Sequence, residues 1–394
     1  MKSILSKEDI DQIRLETLAC NTLNHFNNAG SSLPPDCVVE SVVNYLKEEA
    51  LIGGYEAEAK YAGELQAVYK SIATFINSDP DEIAIFENAS GAWITAFKGL
   101  DLKSGDEIIT SEMEYVTGII GFAQMKRDLG ISIKVIPNDA KGNFSLLELE
   151  QAITPNTKLI AVTHVSSSGG SILPVEEIGK IAEKHGLIYL LDACQSAGQI
   201  PLDVQKIKCH MLSATGRKYL RAPRGTGFLF VKKDVQDKLK PVLLDFLAVD
   251  NVSLEGYTLR QDARRFELFE KSRALTLGLG TAVDYALNIG MEAIWINIQK
   301  LSSYMRKSLS AIPEVTICDK GDNLSGIVTF IVHGIDSVDV KTKLSVFRIN
   351  VSVGGAQATP IYMEKNQFTA VVRASVHYYN TEDEINELCN RVQV

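Results

Sequence analysis

From about residue 70 to about residue 232 the chain alternates short apolar runs with longer helix-patterned stretches, and this rhythm restricts the fold more than any other feature. The apolar runs are 83–86 (IAIF), 107–110 (EIIT), 131–136 (ISIKVI), 159–163 (LIAVT), 187–191 (LIYLL) and 211–214 (MLSA). Between them, 91–100, 116–129, 146–153 and 175–185 space their apolar residues as helices do. Runs that are apolar throughout are buried on both faces, which suits a mainly parallel sheet between helical layers. The run 225–231 (GTGFLFV) follows 211–214 after only a short Pro/Gly/Arg turn, so an antiparallel pairing with its neighbour is expected there. The fold class is therefore α/β.

After about residue 256 the rhythm changes. A long helical pattern, 274–305, leads into strand-like runs at 314–318, 326–332, 349–353 and 370–375, with helices near 338–347 and from 381. Strands mixed with fewer helices predict a smaller α+β domain, entered through the long helix. A chain of 394 residues is long enough for two domains.

Composition narrows the ligands. There are 40 Lys+Arg against 49 Asp+Glu, a formal net charge of −9, and no basic block. Nucleic acid and anionic membrane are disfavoured as partners, and a small molecule is expected instead. The opening MKSILSKEDID has no apolar run of signal-peptide length, and no stretch approaches the ~20 residues of a membrane span, so a cytoplasmic location is expected. Six cysteines (20, 37, 194, 209, 318 and 389) lack CxxC spacing and read as reduced thiols, with no metal site implied. HExxH, GxxxxGK and a strand-borne GxGxxG are all absent from the sequence.

In open α/β sheets ligands gather beyond the carboxyl ends of the parallel strands. After 83–86 comes Glu87-Asn88-Ala89-Ser90-Gly91, where small residues open a helix whose free N–H groups can hold a phosphate. An ordinary helix cap by Asn88 or Ser90 explains the same residues. After 107–110 stands Tyr115, which can stack on a flat ring or simply pack. After 159–163 come His164, most simply hydrogen-bonded scaffolding, and the small polar loop 165–170. After 187–191 come Asp192 and, three residues on, Gln195. A carboxylate ending a buried strand needs a positive partner, which an ordinary ion pair also provides. After 211–214 come Thr215, Gly216, Arg217 and Lys218. A lysine leaving a buried strand beside cations has a lowered pKa and can form a Schiff base with an aldehyde, although most lysines are solvated.

Together these residues meet the needs of pyridoxal 5'-phosphate better than each does alone. Asp192 would keep the pyridine nitrogen protonated, so that the ring accepts charge from Cα. Gln195 would bond the phenolic oxygen, and Lys218 would hold the cofactor and then shuttle the Cα proton.

The motifs that carry this constellation are HFNNAGSSLPP at 25–35, ENASGAW at 87–93, GDEIITSEMEY at 105–115, THVSSSGG at 163–170, LDACQSAG at 191–198, ATGRKYLRAPRGTGFLFV at 214–231, RRFELFE at 264–270 and VRASVHYYNTEDEI at 372–385. In this order they resemble the class V aminotransferase family of fold-type I pyridoxal-phosphate enzymes. That group includes cysteine desulfurases, isopenicillin N epimerase-like proteins and ergothioneine-pathway C–S lyases. The resemblance implies a large cofactor-binding domain at 31–255 and a small domain at 256–394, with a segment 1–30 packing on the small domain and the pocket. It also implies a homodimer, with Gly53, Gly54 and Tyr55 and the 260–270 region as candidates to cross the boundary.

Carried over by resemblance, Lys218 is the Schiff-base lysine, Asp192 the pyridine partner and Gln195 the phenolate partner. Ala89, Ser90 and Thr215 hold phosphate, and Tyr115 stands where many relatives carry a ring-stacking histidine. His164 lies in the strand-end T-H motif. Arg373 grips the substrate α-carboxylate, for which a guanidinium fork is suited. Asn28 and Ala29 line the substrate pocket. Three departures stand out. The 351–368 loop (VSVGGAQATPIYMEKNQF) has no cysteine, where desulfurases carry a nucleophilic one. Arg217 replaces the histidine before the lysine and stays charged, which points to phosphate or substrate binding. Phe269-Glu270 replaces the family's Gly-Thr, putting a neighbouring subunit's phosphate contact in doubt. The expectation is a C–S lyase acting on a cysteine-derived substrate, ahead of an aminotransferase and then an epimerase. A catalytically silent binding protein is the non-enzyme alternative.

Overall fold

Seven strands of the first sheet come from the alternating region: β1 (Ile83–Phe86), β2 (Glu107–Ser111), β3 (Ser132–Ile136), β4 (Thr157–Thr163), β5 (Ile188–Asp192), β6 (Met211–Thr215) and β7 (Gly227–Val231). This computed structural model describes residues 4–393, so the outermost residues of the expected 1–30 and 256–394 segments lie outside it. The strand order is β1-β7-β6-β5-β4-β2-β3. Only β7 is reversed: it pairs antiparallel with both β1 and β6, while β6, β5, β4, β2 and β3 run parallel. The short turn before β7 leaves no room for a crossover helix, so the hairpin geometry follows from chain length.

Both faces of the central strands of this sheet are buried, while the edge strand β3 is partly exposed. Tyr189 and Leu191 of β5 enter one apolar cluster, and Leu190 between them enters another. This is why the runs read as continuously apolar. The helices α1 (Asp36–Ile52), α2 (Ala62–Ile76), α3 (Ala89–Lys98), α4 (Val116–Leu129) and α5 (Val175–His185) belong to this part of the chain.

The helical pattern 274–305 proves to be two helices, α6 (Arg273–Ile289) and α7 (Met291–Ser310). Gly290 has φ +99°, a conformation open to glycine, and α6 ends there. The break redirects the chain: α6 packs on α1 and α2, and α7 packs beside the second sheet and against α8 (Glu382–Val392). That sheet is antiparallel throughout, in the order β8 (Val315–Ile317), β9 (Ile327–Val332), β11 (Ala370–Ser375), β10 (Ser352–Gly355). The N-terminal segment joins this half: Asn24–His25 pairs in parallel with Ile349–Asn350, and Phe26 O accepts the Ser375 N–H at 2.6 Å. Among the described residues no helix is long and apolar enough to cross a membrane.

Candidate active site

A cavity opens where the parallel strands end. Asn88, Ala89 and Ser90 line it after β1, Tyr115 after β2, Thr163 and Ser167 around the end of β4, Asp192, Cys194 and Gln195 after β5, and Thr215, Arg217 and Lys218 after β6. The structure thus brings together Lys218, Asp192, Gln195, Ala89, Ser90, Tyr115, Thr215 and Arg217, eight residues gathered from four strand ends.

Helix α3 starts at Ala89, with the Asn88 side chain accepting the Gly91 N–H at 2.8 Å. The ordinary cap and a phosphate cradle therefore coexist, because one capping side chain leaves other first-turn N–H groups without helical partners. Gly227 of β7 lets this helix start sit so close: a Cβ there would lie 3.0 Å from Ala89 N.

Asp192 is the last residue of β5, and its Oδ1 accepts the Cys194 N–H at 2.8 Å. Neighbouring strands fix its backbone: His164 N donates to Asp192 O at 2.9 Å and Ala193 N to Ser213 O at 2.8 Å. Gln195 Nε2 donates to Ala29 O at 3.1 Å, and its buried Oε1 has no partner. Lys218 is buried, with Nζ 5.8 Å from the centre of the Tyr115 ring. Burial pushes its amine below the ordinary lysine range; Cys194 and Asp192 oppose this, and Arg217 and Arg373 add to it.

Arg373 of β11 comes from the other half of the molecule and is not itself among the lining residues, but it bonds Ser167, which is one of them. Its Nη1 donates to Ser167 O at 2.9 Å and its Nε to Ser352 Oγ at 2.9 Å. Burial pushes its pKa down as well, the mark of a guanidinium without an anion. Arg217 donates through Nη1 to Gly30 O, while Ser32 N donates to Arg217 O at 2.9 Å.

Not every expected residue faces the cavity. His164 is buried beside it instead of lining it, with Nδ1 unpartnered and its pKa pushed down to about 4 by burial. Asn28 spends its amide on the fold: Nδ2 donates to His25 O, Ser375 O and Asn380 Oδ1, and Oδ1 accepts from the Tyr379 hydroxyl. Its neighbour Ala29 is the one that touches Gln195.

Sequence reasoning passed over Ser167 and Glu114. Glu114 is fully buried; burial first, then the Asp192 charge, pushes it up to about 8. Hydrogen bonds from Thr163 Oγ1 (2.8 Å), Tyr115 N (3.1 Å) and Thr110 Oγ1 (3.2 Å) pull the other way. Its signal was an acidic side chain between two elements in 111–115 (SEMEY), which sequence alone does not separate from a solvated turn.

The arrangement offers an amine of lowered pKa, a carboxylate at a strand end, a helix start suited to an anion and, bonded to the cavity's Ser167, a guanidinium with no carboxylate partner among the described residues. Those are the groups needed to hold an anionic cofactor and an amino-acid carboxylate while a proton moves between carbon and nitrogen.

Comparison with known proteins adds relatives. A family model described as aminotransferase class-V matches residues 24–388. A protein of Methanothermobacter thermautotrophicus named probable cysteine desulfurase is 32% identical over 368 residues, covering 92% of each chain. The apo structure of a cysteine desulfurase from Thermococcus onnurineus is 30% identical with a TM-score of 0.93, covering 100% of this chain and 98% of that one. The cystine C–S lyase C-DES, solved with its product cysteine persulfide, shares the fold at 23% identity and a TM-score of 0.87, over 96% of this chain and 99% of its own.

Proposed function

Because the chain belongs to the aminotransferase class-V family, a family of pyridoxal 5'-phosphate enzymes, we propose that it cleaves a C–S bond in a cysteine-derived amino acid. The cavity's own residues fit that cofactor. Gln195 Oε1 and the Ser167 hydroxyl are buried there without partners, and Gly227 leaves the helix start uncovered. In this reading Lys218 holds the cofactor, Asp192 its ring nitrogen and Gln195 its ring oxygen. The α3 start with Ser90, Thr215 and Arg217 takes its phosphate, and Tyr115 covers its ring. When bound, the cofactor supplies an electron sink for charge left at Cα.

The chain's part of the chemistry follows from the site. Arg373 holds the substrate carboxylate by charge-assisted hydrogen bonds. That fixes Cα within reach of Lys218 Nζ, which burial inclines toward the neutral form able to take the Cα proton. The same burial limits how much water reaches the amine. Expelling a thiol from Cβ then gives, with one water, pyruvate, ammonium and the free thiol.

One observation favours this over desulfuration through a protein persulfide. Among the described residues Cys194 is the one cysteine lining the cavity, and burial first, then Asp192, pushes its thiol well above the ordinary range. Such a thiol is a poor nucleophile at neutral pH, and the 351–368 loop has none.

We also propose a homodimer. The hairpin Val249–Ser253 and Gly256–Leu259 stands apart from both sheets and exposes Val252, Leu254 and Tyr257; near Gly53 and Gly54, Leu51 and Tyr55 are exposed as well. Six free thiols suit the reducing cytoplasm expected from the sequence.

The test is a panel of S-substituted cysteines, free cysteine and other amino acids, assayed for keto acid and thiol. Equal amounts of pyruvate and thiol from an S-substituted cysteine support the reading. Alanine with protein-bound sulfur from free cysteine would establish a desulfurase instead. Amino exchange with a keto acid and no released fragment would establish an aminotransferase, and loss of optical activity alone an epimerase.

A further inference from the structure

Arg221, three residues beyond Lys218, has a geometry that the chemistry above does not use. Its φ is +62°, in the left-handed region where a side chain costs free energy and glycine does not. Its side chain is nevertheless fully buried. Every guanidinium nitrogen is engaged: Nε donates to Leu33 O at 2.7 Å, Nη1 to the Tyr378 hydroxyl at 2.8 Å and Nη2 to Thr17 Oγ1 at 2.6 Å. The rings of Tyr379, Tyr378 and Tyr285 cover it, with centres 4.7, 5.2 and 5.5 Å away. Beyond Tyr285 lies a carboxylate, since the Tyr285 hydroxyl donates to Glu16 Oε2 at 2.6 Å.

Its partners therefore come from both ends of the chain. Thr17 and Leu33 belong to the N-terminal segment, and Tyr378 and Tyr379 follow β11. The Arg221 N–H closes the lysine turn by donating to Lys218 O at 2.9 Å. From Tyr379 the connection runs on to Gln195, which lines the cavity. Tyr379 donates to Asn28 Oδ1 and accepts the Leu33 N–H at 3.2 Å, and Ala29 next to Asn28 accepts from Gln195. A glycine would relieve the backbone and lose all of this.

We propose that Arg221 is a positioning residue, which holds the Lys218 turn and the contact between Ala29 and Gln195 in register by tying both chain ends to one buried cation. The proposal rests on the reading of Lys218 as the amine that holds the cofactor. Without the guanidinium the segment 17–33 loosens and water reaches Lys218, whose charged neighbours Asp192, Arg217 and Arg373 and the Cys194 thiol stay in place. The strain at Arg221 then has a function: the cation is kept where only the turn itself can present it to both chain ends.

The test uses the full chain with Arg221→Gly, which suits the backbone, and Arg221→Lys, which keeps the charge but loses the fork. With the cofactor removed, Lys218 acetylation by acetic anhydride is followed against pH by peptide mass spectrometry. In Arg221→Gly the labelling midpoint is expected to move up toward the ordinary lysine range. With the cofactor bound, amide exchange in 17–33 is expected to run about tenfold faster than in the parent, while the β4 and β5 strands are unchanged. Arg221→Lys should fall between the two on both measures. A parent-like midpoint and parent-like exchange in a folded Arg221→Gly protein would overturn the proposal, as would uniformly faster exchange across all strands, the sign of mere destabilisation. If the cofactor fails to protect Lys218 from acetylation in the parent protein, the reading of Lys218 fails, independently of the exchange result.

Discussion

The cavity wall and the layer packed behind it are made by different means. The wall consists of strand ends: Asn88 to Ser90, Asp192 to Gln195 and Thr215 to Lys218 each lie within a few residues of the strand that places them. The layer behind it is assembled from residues far apart in the chain. Asn28 bonds Ser375 across 347 positions, Ala29 N donates to Ser375 Oγ across 346, and Arg221 ties Leu33 to Tyr378. The wall inherits its precision from a backbone ladder buried on both faces. The layer behind it depends on side-chain hydrogen bonds that hold only when every buried partner is satisfied. The residues expected to hold the cofactor thus sit on the rigid element, and Asn28, Ala29 and Arg373, expected at the substrate, on the part that joins the chain ends.

That contrast can be broken by substitution. The largest effect is expected on the wall itself. Lys218→Ala should lower turnover about ten-thousand-fold and leave protein that no longer retains the cofactor's absorption after gel filtration. The fold should survive, since a buried amine without a carboxylate partner is removed. Retained turnover would show that the strand-end wall does not carry the chemistry.

In the layer behind the wall, Arg373→Gln should cost about a hundredfold in kcat/KM, mainly through KM, with the cofactor spectrum unchanged. Steady-state kinetics on the substrate found by the panel above measure it. A loss confined to kcat would place Arg373 with the reacting atoms instead of the substrate's carboxylate.

An effect on stability, not on turnover, belongs to the carboxyl beneath the cavity wall. Glu114 keeps its proton in the folded chain up to about 8 but loses it near 4.5 when unfolded. The folded state therefore holds the extra proton between those values, and stability should fall as pH rises through that window, by up to about 1.4 kcal/mol per pH unit. Glu114→Gln should remove this slope, as urea unfolding of the cofactor-free protein at several pH values would reveal. Parallel pH profiles for parent and variant would mean that the three hydrogen bonds to Glu114 outweigh its burial.

Legibility followed the same division. Asp192, Gln195 and Lys218 could be placed from sequence because apolar runs fix where parallel strands end, and ligands collect there. Reading 274–305 as one helix went wrong for a local reason: the apolar periodicity continues across Gly290, and a single glycine is weak evidence of a break. Asn28 was expected at the substrate, but its amide is consumed by His25, Ser375, Asn380 and Tyr379, contacts between chain ends that no local pattern carries. Glu114 escaped notice because burial of an acid is not written in its neighbours, only in what packs over them.

The sequence by itself determined the layered α/β sheet, the side of it on which the cavity opens and the residues that end each strand, because burial on both faces demands unbroken apolar runs and the chain must turn after each one. Only the tertiary structure decided which cations stand without anions, which carboxyl keeps its proton and how Arg221 joins the two ends of the chain. Those properties arise from desolvation and from partners hundreds of positions apart, and both exist only once the chain has closed on itself.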